Sequence, residues 1–159
     1  YILNKMTEEF NHEPQDYHCP FCALLAGHYN DLGTKEDIVY QNEFATAKIA
    51  PKWWINNPGH VLVVPNKHYE NIYDIPEELI GHISKVCKKI ALNLKKTLGV
   101  QAVNLIHGSG KFAQQDVFHF HMHVVPRKKD DNFKLHYDPK LGIKPKFDEL
   151  LSKIKTENI

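Results

Sequence analysis

Three histidines alternate with apolar residues in His119-Phe120-His121-Met122-His123-Val124-Val125. Alternate residues of an extended chain share a face. His119, His121 and His123 therefore line one side, and Phe120, Met122 and Val124 the other. Burying three imidazoles costs free energy unless each finds a partner, and a core does not need them. Two chemistries suit such a row. One is a catalytic metal held by alternating imidazoles, although no Asp or Glu occurs between Val117 and Lys129 to complete a ligand set. The other is a nucleophilic imidazole. With a pKa of about 6.5 it is neutral at pH 7 and attacks phosphorus, while its neighbours hold the phosphate or handle protons.

A second group is Cys19-Pro20-Phe21-Cys22. Such a pair is redox-active, half of a zinc site, or a coincidence of spacing. The redox reading wants a strand leading into the pair, and no strand pattern precedes Cys19. Cys87 falls in an apolar helical stripe and reads as core. The loop Gly108-Ser109-Gly110-Lys111 offers backbone N–H groups and an ammonium to a phosphate, or is a plain turn. His12, His18, His28, His82 and His136 read as surface residues, and His107 as a candidate because it enters that loop.

These side chains need a scaffold. Cys19–Ala26 reads as a short helix or turn stopped by Gly27. Residues 37–40, 43–50, 60–64 and 101–106 read as strands, as does a long segment, Val117–Val125, ended by Pro126. Pro76–Leu98 is the strongest helix, with Leu79, Ile83, Val86, Ile90, Leu94 and Leu98 recurring at three and four residues. Glu77 and Glu78 suit its positive end, Lys95 and Lys96 its negative end, and Gly99 its C-cap. Phe147, Leu150, Leu151 and Ile154 mark a C-terminal amphipathic helix. Short turns between strands, around one long helix, predict an α+β fold with a mainly antiparallel sheet.

With 159 residues, one domain spanning 1–159 is expected, with a polar, loose arm over 1–16 and a tail carrying the last helix over 128–159. Twenty basic against nineteen acidic residues give +1, which argues against a nucleic-acid backbone as partner. A small phosphorylated ligand needs only a few local donors. No run of 18 apolar residues occurs, so no membrane partner is expected. The three cysteines suit a reducing, cytoplasmic setting.

The segment His119–Val125 resembles the signature of the histidine triad (HIT) family of nucleotide hydrolases and transferases. Ala113–Phe118, Pro126-Arg127 and Gly59–His68 are similar to the same family, so the likeness runs from about Cys19 to Arg127. The closing His123 resembles the hydrolase side, since the transferase branch ends its motif in Gln. The resemblance implies a HIT-like fold and a hydrolase of nucleotidyl phosphoanhydrides or phosphoramidates, such as dinucleoside polyphosphates. His121 would be the covalent nucleophile, His123 a phosphate donor and His60 an orienting group. Gln115 would contact the scissile phosphate, with Ser109, Lys111, Asp116 and His107 nearby. The zinc-bearing members imply a structural zinc held by Cys19, Cys22, His68 and His119, with no catalytic metal required. A homodimer is implied as well. Three positions depart from the family pattern. His107 and Gly108 stand where an Asn is usual, Asp116 replaces Ser or Thr, and Ala50 aligns with a ribose-gripping Asp. Trp53 and Trp54 follow, to stack on a base or cover the sheet. These departures leave a rival reading, a nucleotide-binding regulatory module with little turnover. A metal-dependent hydrolase using the triad as ligands is a third.

Overall fold

The computed structural model describes residues 11–52 and 56–133. The expected C-terminal helix, His136, Trp53 and Trp54 lie outside them. Element order is α1 (Pro20–Leu25), β1 (Ile38–Gln41), β2 (Ala45–Ile49), β3 (Val61–Pro65), α2 (Glu77–Leu98), β4 (Ala102–Ile106) and β5 (Met122–Arg127), with single 3₁₀ turns at Lys35–Asp37 and Lys111–Ala113. The strands form one antiparallel sheet in the order β1-β2-β3-β5-β4. This is the α+β architecture expected from the pattern.

Helix α2 covers one face. Its Ile83, Val86, Cys87, Ile90 and Leu94 are buried against Ala45, Ala47, Val61, Val63, Phe120 and Val124. Each large buried side chain contributes about 1.5–3 kcal/mol of transfer free energy. Leu98, at the end of the stripe, is mostly exposed. Gly99 adopts the left-handed C-cap conformation, φ 63°, which a side chain would strain. On the opposite face, Phe21 of α1 packs with Ala50, Leu62 and Val64, and the half-buried Leu25 lies against them.

Two strand expectations need correction. The histidine strand begins at Met122, not at Val117, and it runs through Pro126 to Arg127. The chain bends at 117–119, where the His119 amide donates to the Val117 carbonyl at 2.8 Å. The Phe120 amide then donates to the Tyr69 carbonyl at 2.6 Å, not to a neighbouring strand. A proline is tolerated in β5 because β3 pairs only with Met122, His123 and Val124. Beyond that point β5 faces β4 alone, and a missing N–H leaves no gap in a second ladder. His82 is also corrected: it is half-buried and stacks on Phe44 at 3.8 Å. His12, His18 and His28 are exposed. The described part of the N-terminal arm is tied down, as His12 and Glu13 show below.

Candidate active site and metal centre

The bend does not destroy the alternation of faces. Phe120 joins the α2-side core, while His119 and His121 pack against Phe21 at ring separations of 5.6 and 5.5 Å. His123 stacks with His60 at 5.1 Å and lies 4.9 Å from His121. The antiparallel register sets His123 opposite Leu62, two residues from His60. Four imidazoles thus converge on one sheet face, at the seam between β3 and β5.

Their hydrogen bonds fix their tautomers, because a carbonyl can only accept. His121 Nδ1–H donates to the His119 carbonyl at 2.7 Å. Its Nε2 makes no hydrogen bond among the described residues and carries the lone pair. His60 Nδ1–H donates to the Lys52 carbonyl at 3.2 Å, so its Nε2 accepts from His123 Nδ1–H at 2.9 Å. That relay leaves a lone pair on His123 Nε2. Burial lowers the pKa of all three, to about 4 for His60 and about 3 for His123, where neighbouring imidazoles add to the effect. For His121 burial is the largest cause, and the nearby Asp116 carboxylate opposes it. All three rings are therefore neutral at pH 7, as a nucleophile requires.

The surrounding candidates have separate placements. His107 stacks on Phe120 at 4.1 Å, donates from Nδ1 to the His121 carbonyl at 2.9 Å, and accepts from the Ser109 hydroxyl at 2.7 Å. It supports the histidine segment from behind. Ser109 Oγ also accepts from the Ile72 amide at 3.1 Å. Gln115 is buried, and its amide is engaged at both ends. Its Oε1 accepts from the Gly110 amide at 2.7 Å, while Nε2 donates to the carbonyls of Glu70 at 2.6 Å and Val117 at 3.1 Å. Lys111 and Asp116 are exposed. Ala50 is buried at the end of β2, and its amide donates to the His60 carbonyl at 2.9 Å.

Beside this seam, Cys19, Cys22, His68 and His119 bring one ligand atom each to within 4.8 Å of one another. Cys19 Sγ lies 3.2 Å from His119 Nδ1, and Cys22 Sγ lies 3.3 and 3.6 Å from the Nδ1 atoms of His68 and His119. Tetrahedral zinc with bonds of about 2.3 Å to sulfur and about 2.0 Å to nitrogen sets S···N at roughly 3.5 Å. Both imidazoles present Nδ1 because Nε2–H is engaged, in His119 to the Pro65 carbonyl at 3.1 Å and in His68 to the Glu13 carboxylate at 3.0 Å. Such outer partners orient metal-bound histidines. Burial and the adjacent Cys19 push the Cys22 thiol up to about 12. Only a cation would make a thiolate favourable there. The donor set fits a structural zinc ion, and four protein ligands leave no open position for water.

Sequence reasoning missed three polar side chains. Lys48 is buried on the histidine face of β2, and its ammonium donates to the Ile49 carbonyl at 2.5 Å. A lysine among the small and apolar residues of the strand segment 45–50 was the available signal. Glu70 is buried and accepts from the amides of His12 at 2.7 Å and Glu13 at 3.2 Å. Asn57 is buried and bridges the Pro126 carbonyl and the Asp131 carboxylate, both at 2.8 Å. Neither Glu70 nor Asn57 carried a local signal.

Residues 34–130 match the family model described as the HIT domain. The chain is similar to a HIT-like protein of Saccharolobus solfataricus, with 39% identity over 113 residues that cover 71% of this chain and 76% of that one. Among solved structures it is similar to a Zn-bound histidine triad family protein from Mycobacterium smegmatis. That likeness has 30% identity and a TM-score of 0.64, over 76% of this chain and 83% of that one. A HIT family protein from Bacillus anthracis matches with 28% identity and a TM-score of 0.72, over 86% and 94% of the two chains. With the four histidines on one sheet face and a family match over more than half its length, the chain belongs to the HIT domain family.

Proposed function

We propose that the chain hydrolyses nucleotidyl phosphoanhydrides or phosphoramidates, dinucleoside polyphosphates among them, through a covalent nucleotidyl-histidine intermediate on His121. One observation carries this reading. The His119 carbonyl holds the Nδ1 proton of His121, so Nε2 presents its lone pair from a buried, neutral ring. In the first step that lone pair forms an N–P bond with the α-phosphorus. The bond from phosphorus to the leaving oxygen or nitrogen breaks, and its electron pair departs with the leaving group. In the second step water adds to phosphorus, the N–P bond breaks, the electron pair returns to Nε2, and the water proton passes to solvent.

His123 faces the same phosphate. In the relay from Lys52 through His60 its Nε2 is an acceptor, so it takes up a proton as the anion enters and then donates to the phosphoryl oxygens or the leaving group. A nearby negative charge favours that proton. His60 holds His123 in this orientation. The Ser109–Lys111 loop would supply the Ser109 and Lys111 amides and the Lys111 ammonium, the Gly110 amide being held by Gln115, as charge stabilisation of a phosphoryl group requires. His107 would act through Ser109 and the His121 carbonyl, and Asp116 would sit beside the phosphate. A zinc ion, as in the Mycobacterium smegmatis relative, would be held by Cys19, Cys22, His68 and His119 and would pin α1 to the sheet. A cytoplasmic homodimer is part of the same proposal, and the half-exposed Leu105 on edge strand β4 supports such pairing.

A second reading, a nucleotide-binding module with little turnover, is favoured by the engagement of both ends of the Gln115 amide with the protein. A turnover screen over dinucleoside polyphosphates, nucleoside phosphoramidates and sugar nucleotides separates the two. The hydrolase reading expects sustained turnover of at least one class, and binding without turnover across all of them would favour the module.

A further inference from the structure

The short segment His68–Asp74, between β3 and α2, touches the metal centre and the triad loop at once. His68 faces the cysteines. The Tyr69 carbonyl accepts from the Phe120 amide at 2.6 Å, at the bend of the histidine segment. The Glu70 carbonyl accepts from Gln115 Nε2 at 2.6 Å, and the Ile72 amide donates to Ser109 at 3.1 Å. Two hydrogen bonds of the 108–117 loop, and one from Phe120 just beyond it, therefore end on the backbone of Tyr69, Glu70 and Ile72.

The Glu70 side chain joins this backbone to the metal side. It is 1% exposed and carries no ion pair among the described residues. Its two oxygens accept from the amides of His12 and Glu13. Glu13 in turn accepts from His68 Nε2 at 3.0 Å. A chain of contacts follows: metal ligand His68, Glu13, Glu70, Gln115, and the Gly110 amide. Apart from those two amides, Asn71 Nδ2 donates over a longer 3.4 Å to the oxygen that also meets His12, so among the described residues the oxygen facing Glu13 depends on that amide alone. If residues 12–13 leave, it must move or find other donors, and its own carbonyl moves with it.

We propose that Glu70 is a positioning residue that couples the Cys19–Cys22–His68–His119 centre to the Gly108–Gln115 loop, so that a metal-loaded centre holds the phosphate-side loop in place. The coupling rests on the proposed use of that loop for phosphate, but the order of the loop is measurable without turnover. Loading the centre fixes His68, which keeps Glu13 and the His12–Glu13 backbone on Glu70. The Glu70 carbonyl then keeps the Gln115 amide turned so that Oε1 meets Gly110. Glu70 acts through Gln115 and touches no reacting atom.

The test is amide hydrogen exchange at Gly110, followed by NMR on the zinc-loaded chain, on the same chain after chelation, and on zinc-loaded Glu70→Ala, Glu70→Gln and Glu13→Ala. Chelation and Glu70→Ala should each speed Gly110 exchange at least tenfold while the amides of Ile83–Leu94 keep their protection. Glu70→Gln retains one acceptor for the His12 amide and should recover part of the protection. Zinc affinity of Glu70→Ala, read by competition with a chromogenic chelator, should fall about tenfold, the range for lost outer-shell partners. Should Glu70→Ala not fold, chelation of the wild type and the exposed Glu13→Ala variant, which removes the acceptor of His68 Nε2–H, carry the test, each speeding Gly110 exchange. Gly110 exchange within twofold of the loaded wild type, with the metal gone or with Glu70→Ala folded, overturns the coupling. Loss of protection without any turnover in the loaded wild type would sink the hydrolase reading and leave the coupling standing.

Discussion

Replacing His60 with phenylalanine keeps the ring volume and removes both hydrogen bonds of the relay. His123 Nδ1–H then loses its acceptor at 2.9 Å, and the Lys52 carbonyl loses a donor at 3.2 Å. Lys52 is exposed, so water replaces that donor. The half-buried His123 has no such relief, and an unsatisfied buried donor costs about 1–3 kcal/mol. If His123 must hold this tautomer in the transition state, the cost appears as a fall in kcat of about 5- to 150-fold, larger than any rise in KM. Acid unfolding gives an independent readout. His60 is held at about 4 by burial, against about 6.5 in the unfolded chain. Its folded pKa is depressed, so its contribution to stability is complete above pH 6.5. That contribution is lost as pH falls toward 4, where the unfolded chain binds the extra proton first. In that window one such histidine steepens the loss by about 1.4 kcal/mol per pH unit. Denaturant unfolding of His60→Phe at several pH values should show a slope shallower by about that amount. A kcat within twofold of wild type would refute the orienting relay, and an unchanged pH slope would refute the burial of a neutral His60.

Three further outcomes are expected. The chain purified from cells without chelator should carry close to one zinc per protomer by elemental analysis, and chelation should lower Tm more than it changes chemistry at the seam. Asp116→Ser, on an exposed site beside His121, should lower KM for an anionic substrate by more than about twofold, roughly 0.5 kcal/mol, in steady-state kinetics. Gln114 sits in the left-handed region at φ 63°, a conformation that strains a side chain, so Gln114→Gly should stabilise the fold by up to about 1 kcal/mol in denaturant unfolding.

The sheet, the long helix and the shared face of the histidines were legible because each has a local period. Leu79 to Leu94 repeat every three or four residues along α2, and Gly99 closes it. The bend at 117–119 was not legible. Its cause is the Tyr69 carbonyl, about fifty residues away in sequence, and the strict His–apolar alternation reads as strand whether or not a ladder forms. Pro126 ends a strand in a local reading, but its position beyond the end of β3 makes it harmless. The spacing of Cys19 and Cys22 left a redox pair and half of a zinc site both open, and the resemblance supplied His68 and His119 and with them the metal reading. Glu13, which turns His68 toward the cysteines, has no motif at all. For Gln115 the resemblance implies a phosphate contact. The sequence offers no view of the Glu70 and Gly110 backbone groups that hold its amide. Buried polar partners of this kind are set by tertiary geometry, and composition does not reveal them.

The most direct measurement is capture of the covalent intermediate. A chromogenic or isotope-labelled nucleotidyl substrate is mixed with the chain, the reaction is stopped mid-turnover under alkaline denaturing conditions that preserve N–P bonds, and the digest is read by mass spectrometry. His121→Ala is run in parallel. The geometry, with Nδ1 of His121 bound to the His119 carbonyl and Nε2 bearing the lone pair, predicts an acid-labile nucleotidyl adduct on His121. It also predicts turnover at least about 10³-fold lower in His121→Ala, about 4 kcal/mol of barrier, with ligand binding retained. An adduct on any other residue, or near-normal turnover in His121→Ala, would contradict the account.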